Sequence, residues 1–214
     1  MNQARGGSSL SNILLTAERD GQRCAGPVLL AGLAIGVGVT QLTTQVLRES
    51  SDLSMDLLSL LVLELVGPIL VSVLGMTLLL PRWLDRVATV GYRAWRRSVP
   101  SAALVGCFLM LMFFSASLLA GILITPRGEM ATELFDLISE LRIIDVMRSL
   151  VRCAAFLAVL CGWCQWRAEN CLRRSQSQTT ILSNLLVEGL MIGLALKLVW
   201  FLIAHSLMFT ETMA

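Results

Sequence analysis

Charge is what this chain has least of. Only 15% of its 214 residues are Asp, Glu, Lys or Arg, against 56% hydrophobic, and its mean hydropathy is +0.74. A water-soluble domain of this length needs more polar surface than that, so the composition belongs to a chain surrounded by lipid. The net charge of +2, with arginine confined to short stretches between apolar runs, excludes a nucleic-acid-binding face. Histidine is reduced to His205, and no P-loop, Ser/His/Asp set or pair of carboxylates in a shared watery site can be picked out. The chain is therefore expected not to be an enzyme by itself, to bind no ATP and to hold no cofactor or metal. The N-terminal 23 residues carry Arg5, Glu18, Arg19, Asp20 and Arg23 without an apolar core and small-residue cleavage site, so a cleaved signal peptide is not expected. No internal repeat is visible, and the chain is expected to form one domain without a soluble extramembrane unit.

The six cysteines, Cys24, Cys107, Cys153, Cys161, Cys164 and Cys171, mostly fall within or beside apolar runs, where cysteine packs as a small hydrophobe. Cys161 and Cys164 form a C-x-x-C that a helix would bring near one face. No second pair and no neighbouring histidine accompanies them, so the signal for a zinc site or a cluster is weak.

What the chain has in abundance is long uncharged sequence. Residues 101–124 contain no charge at all, and crossing a hydrocarbon core about 30 Å thick takes roughly 20 helical residues. Five membrane spans are drawn on this basis, at 28–46, 57–80, 101–124, 147–166 and 181–204. The fourth is the weakest, because Arg148 and Arg152 have to snorkel toward an interface. Residues 10–23 alternate apolar and charged positions and suit a short helix lying on the membrane surface. Residues 126–142 suit an amphipathic helix on the outer side.

Arginine sets the orientation. Arg82, Arg86, Arg93, Arg96 and Arg97 lie in residues 81–100, and Arg167, Arg173 and Arg174 lie between the fourth and fifth spans, whereas the opposite loops are acidic. Both arginine-rich loops are expected on the cytoplasmic side. The predicted fold is thus an all-α polytopic membrane protein, an interfacial helix plus five transmembrane helices, with the N-terminus cytoplasmic and the C-terminus outside.

Polar and helix-weakening residues inside the spans are the candidate site. Gly32 and Gly36, with Gly38, let helices approach closely, while Gln41, Thr43, Thr44 and Gln45 make the outer end of the first span polar. Gly67 and Pro68 interrupt the second span one turn after Glu64, and an ionisable group inside a span is costly unless paired or wetted. Glu64 and Lys197 lie at matching depth from the outer ends of their spans, which makes a pair between them feasible.

Several of these stretches together resemble the MlaE family, the permease subunits of MCE-associated ABC lipid transporters. GLAIGVGVTQ, residues 32–41, is similar to the family's first span, and LSLLVLELVGPILVSVLG, residues 58–75, is similar to its glutamate-bearing run into glycine-proline. FDLISELRIIDVMRSLVRCAAFLAVLCGWCQ, residues 135–165, resembles the stretch through an outer helix, an aspartate and a span ending in glycine, cysteine and glutamine. Arg167 and Ala168 extend that ending, and Thr179 and Thr180 fit the start of the last span. The chain departs from the pattern in residues 75–101, shorter and more basic than the family's ATPase-contacting segment, in ENCLRRSQSQ at 169–178, and in placing Glu64 four residues before Pro68 rather than three.

The resemblance implies a divergent permease of the bacterial inner membrane, homodimeric or heterodimeric, which moves phospholipid or a related lipid between membranes. Its implied partners are a separate ATPase on the cytoplasmic face and an MCE-domain protein on the periplasmic face. Gly36, Gln41, Glu64, Gly67, Pro68 and Lys197 are the expected lipid-binding residues. Asp85, Arg86, Gly91, Tyr92 and Arg93 are the expected ATPase-coupling residues, on a helical register that brings Leu84, Val87, Val90 and Gly91 to one side. The rivals are a membrane redox or anchor protein that cycles Cys161 and Cys164, and an assembly scaffold without a transport cavity.

Overall fold

The computed structural model describes residues 9–46, 66–124, 143–172 and 178–211, which form five long α-helices: α1 (Ser9–Val46), α2 (Gly67–Val90), α3 (Trp95–Ile124), α4 (Ile143–Leu172) and α5 (Gln178–Glu211). One turn of 3₁₀ helix, Gly91–Ala94, joins α2 to α3. The all-helical expectation holds. Four of the helices are apolar and long enough to cross a membrane, over Leu10–Val39, Gly67–Val90, Trp95–Ile124 and Thr179–Trp200. The helix not among them is α4, which carries Asp145, Arg148, Arg152, Arg167 and Glu169.

Two expectations are corrected. Residues 10–23 are not a separate interfacial helix but the first part of α1, which runs unbroken for 38 residues. Pro27, which has no N–H to give the carbonyl of Arg23, stands inside that helix without ending it. At 1.5 Å per residue α1 is about 57 Å long, more than a hydrocarbon core needs, so part of it lies outside the apolar layer. The second correction concerns residues 81–100, expected as a cytoplasmic connection with a short helical register of its own: residues 81–90 continue the second span's helix and residues 95–100 begin the third's. Trp83, Leu84 and Val87 are buried and continue the face that Val71, Gly75, Met76, Leu79 and Leu80 begin, so packing carries α2 through Pro81 to Val90. Charge density suggested that the span stops at Leu80, where the 3.6-residue apolar period in fact persists.

The core lies where α2 meets α4, flanked by α3 and α5, with Met76, Leu79, Trp83, Leu109, Phe113, Leu157 and Leu160 all buried. α1 packs chiefly along α3 and touches α2 near its own N-terminal part. The outward faces are equally apolar. Leu104, Phe108, Leu111, Leu119 and Leu123 stand exposed on α3, and Val187, Leu190, Met191, Leu194 and Leu198 on α5. Apolar faces of this extent do not face water in a soluble monomer.

The chain leaves α2 at Gly91. Its φ of 69° and ψ of −153° lie in a region essentially reserved for glycine, while its N–H caps α2 by donating to the Val87 carbonyl. Gly91→Ala is expected to lower stability by about 1–3 kcal/mol through backbone strain, since among the described residues, its chain neighbours aside, nothing lies within 4 Å of an added Cβ. A detergent-resistance or thermal-unfolding midpoint equal to wild type would show that the turn tolerates a side chain.

Candidate functional site

Of the residues expected to bind lipid, Gly36 lies in the seam between α1 and α3. A Cβ there would run into the Ser117 carbonyl oxygen and come within 2.9 Å of the Ala120 Cβ; at Gly32 it would come within 2.6 Å of the Phe113 carbonyl oxygen. The Ser117 hydroxyl donates to the Gly32 carbonyl across the seam at 2.9 Å. The space beside Gly36 is filled by α3. Gln41 is exposed toward the other end of α1 from Asp20, and Gly67 and Pro68 are buried in the first turn of α2. Val66, just before them, keeps helical dihedrals of −84° and −45°. Lys197 is half-buried on α5, while Glu64, its expected partner, lies outside the described residues.

The expected coupling residues are divided. Asp85 is exposed on α2, Gly91 makes the turn, and Tyr92 and Arg93 sit on the 3₁₀ turn with side chains outside the described ones. Leu84 and Val87 belong to the chain's own core, so only Val90 of that apolar group is exposed. Arg86 is engaged within the chain. Both it and Arg82 reach across to Asp20 of α1: Arg82 Nη1 lies 2.6 Å from Oδ1, and Arg86 Nη2 lies 2.9 Å from Oδ1 and 2.8 Å from Oδ2. Arg82 also donates to the Arg19 carbonyl at 3.1 Å. Asp20 is only 2% exposed, and this cluster fastens the N-terminal part of α1 to the end of α2.

Sequence reasoning placed Asp20 on a surface helix. The signal that marked it as internal was the stripe Asp20, Cys24, Val28, spaced four apart and wholly buried.

Two further charge contacts involve α4 and α5. Arg152, expected to snorkel, is 5% exposed with its guanidinium 5.0 Å from the centre of the Trp200 ring, so an aromatic face from α5 covers it. Arg167 holds Glu188 through two bonds of 3.1 Å, from Nε to Oε2 and from Nη2 to Oε1. Glu188 on α5 thus has its partner on α4, in the last part of that helix.

Cys161 and Cys164 are free and buried in the core. Thiol–disulfide exchange requires access to the sulfur, so this burial favours packing over the redox reading. Among the described residues no group of His, Cys, Asp and Glu is arranged to hold a metal ion.

Beside the Gly91 turn is a cleft of about 130 Å³ lined by Val87, Gly91, Trp95, Gly162, Gln165, Trp166 and Glu169. A smaller one of about 80 Å³ lies beside the Arg167–Glu188 pair. Gln165 is 3% exposed, and neither its Nε2 nor its Oε1 has a hydrogen-bond partner among the described residues. In the sequence this glutamine stands out only as the last residue of the family-like stretch 135–165, with no sign that its amide is buried.

No protein-family model matches this chain, and no curated protein matches it.

Proposed function

We propose that this chain is the membrane-embedded permease subunit of an MCE-associated ABC lipid transporter in the bacterial inner membrane, moving phospholipid with energy from a separate ATPase. The observation that carries the reading is the distribution of apolar surface. Four helices can cross a membrane, and α3 and α5 present apolar faces outward, while the charged side chains between helices are paired or covered. The resemblance of residues 32–41, 58–75 and 135–165 then selects this class of transporter among membrane proteins.

In this reading α4 is the fifth span. It packs against α2, α3 and α5, and Arg152, the charge deepest along it, is covered by Trp200 rather than turned to lipid. Five spans place the ends of the chain on opposite sides, with the Asp20, Arg82 and Arg86 cluster at the cytoplasmic end. Gln41, Gly67, Pro68 and Lys197, together with Glu64, contribute to a lipid cavity at the periplasmic end, completed by a second permease chain, identical or related. Asp85, Gly91, Tyr92 and Arg93 form the ATPase contact, with Arg86 holding that end of α2 in place through Asp20.

The test is affinity purification of the tagged full chain from its native membrane in mild detergent, followed by mass spectrometry of bound proteins and lipids. An ABC-type ATPase, an MCE-domain protein and phospholipid are expected together. A Tyr92→Ala, Arg93→Ala double variant is expected to lose most of the ATPase while still inserting in the membrane. Recovery of the chain with neither ATPase nor MCE protein would defeat the transporter reading, and unaltered ATPase recovery by the double variant would remove the coupling role.

A further inference from the structure

Two arginines at the head of α3 carry charge that the helix bundle does not use. Arg82 and Arg86 are held by Asp20 and Arg167 by Glu188, whereas Arg96 and Arg97 stand exposed, and no described residue makes an ion pair or hydrogen bond with either side chain. Arg97 also heads an apolar stripe. Leu104, Phe108 and Leu111 follow it at 7, 11 and 14 residues, close to two, three and four helical turns, and all three are exposed. α1 borders the stripe, since a Cβ on Gly21 would stand 3.9 Å from the Phe108 ring.

The stripe has the depth of one leaflet. The uncharged run begins at Ser101, so at 1.5 Å per residue Arg97 lies about 6 Å outside it along the helix axis and Leu111 about 15 Å inside. Half of a hydrocarbon core about 30 Å thick is about 15 Å, and the head-group layer beyond it is about 5–7 Å. Three exposed tryptophans mark the same level. Trp95 precedes the arginines and lines one cleft with Trp166, whose ring centre is 5.2 Å from that of Trp163, and exposed tryptophan collects where lipid head groups begin. A docking protein in the cytoplasm would meet only the arginines. A lipid matches both parts, with a phosphate for the guanidinium groups and an acyl chain for the stripe below them.

We propose that this face of α3 binds an acidic phospholipid of the cytoplasmic leaflet. The Arg97 guanidinium donates to its phosphate oxygens in the paired geometry that a fork of N–H groups allows, and Arg96, one position round the helix, meets the other side of the head group. One acyl chain lies along Leu104, Phe108 and Leu111. Head-group charge sets the preference. A choline or ethanolamine head carries a cation beside its phosphate that repels the arginines, whereas a glycerol head leaves the phosphate charge unopposed. The inference rests on the membrane placement and orientation in the proposed function but not on transport, and it adds a lipid-selective surface separate from the residues expected at the periplasmic end.

The experiment uses the purified full chain in mild detergent. An equimolar mixture of phosphatidylglycerol and phosphatidylcholine with the same acyl chains is added, and bound lipid is counted by native mass spectrometry. Phosphatidylglycerol is expected to bind in about 25-fold preference, since each arginine near a head group contributes about fivefold. Arg97→Gln is expected to lower the ratio about fivefold, and Arg96→Gln combined with Arg97→Gln to bring it near one. Both side chains are exposed, so the melting temperature is expected to stay at the wild-type value, which separates loss of the site from loss of the fold. Arg19→Gln, an equal change of charge at an exposed position on α1, is expected to leave the ratio unchanged. Equal binding of the two lipids by wild type, or a ratio that survives the double substitution, overturns the proposal. An equal fall in Arg19→Gln overturns it in favour of diffuse surface charge. Displacement by glycerol 3-phosphate at the lipid's own affinity overturns the membrane source. Loss of a co-purifying protein from native membranes in the double variant, with the lipid ratio intact, assigns the face to that protein instead. Recovery of the ATPase and MCE protein by the wild-type chain is a separate result, so failure here does not by itself defeat the transporter reading.

Discussion

Asp20→Asn is expected to lower stability by about 3 kcal/mol, because it removes the only carboxylate that Arg82 and Arg86 are shown to share and leaves both guanidinium groups at a buried junction. The value sits at the lower end for breaking a buried ion pair, since the arginine side chains are 26% and 28% exposed and water relieves part of their charge. Removing one arginine is expected to do less harm, because the other still meets Asp20. Arg82→Leu combined with Asp20→Leu should cost less than the sum of the two single losses, the signature of a direct contact in a double-mutant cycle. Asp85→Asn, on the exposed side of α2, serves as the control and is expected to change stability by no more than about 0.5 kcal/mol. The measurement is the unfolding midpoint in detergent. Equal midpoints for wild type and Asp20→Asn would mean that the cluster contributes nothing to holding α1 on α2.

The second large effect belongs to the α1–α3 seam. Gly36→Ala is expected to destabilise by about 1–3 kcal/mol, since its Cβ would meet the Ser117 carbonyl oxygen and the Ala120 Cβ, and backbone atoms cannot swing aside as a side-chain end can. Gly32→Ala meets the Phe113 carbonyl in the same way and also threatens the hydrogen bond from Ser117 to the Gly32 carbonyl. Gly36→Leu is expected to force α1 off α3 and to expose the first helix to proteolysis. Gly38→Ala, with nothing within 4 Å of its Cβ, is expected to be neutral or to stabilise by up to about 1 kcal/mol, because alanine is the better helix former. If Gly36→Ala and Gly38→Ala unfold at the same temperature, the close approach of α1 and α3 does not govern stability. If only lipid binding changes at Gly36, its assignment to a lipid cavity stands over its assignment to the seam.

The amino-acid sequence alone determined the class of this protein. Runs as long as 101–124 without a charge cannot be covered with water-facing groups, so helical character and residence in lipid follow from hydropathy. The Gly32 and Gly36 spacing likewise announced a close helix contact before any neighbour was known.

Tertiary structure decided which charges meet. Asp20 joins residues 62 and 66 positions away, and Glu188 takes Arg167 from the preceding helix. Those pairings depend on which helices are adjacent and at what height, information that periodicity along one segment does not contain. The same is true of the boundaries. Residues 10–23 and 81–90 looked like surface and loop because they are charged, yet their buried stripes, Asp20 with Cys24 and Val28 and Trp83 with Val87, are completed only by side chains of other helices. Gln165 shows the limit most plainly: the sequence gives no sign that its amide is buried, and it becomes conspicuous only when the described residues around it supply no partner.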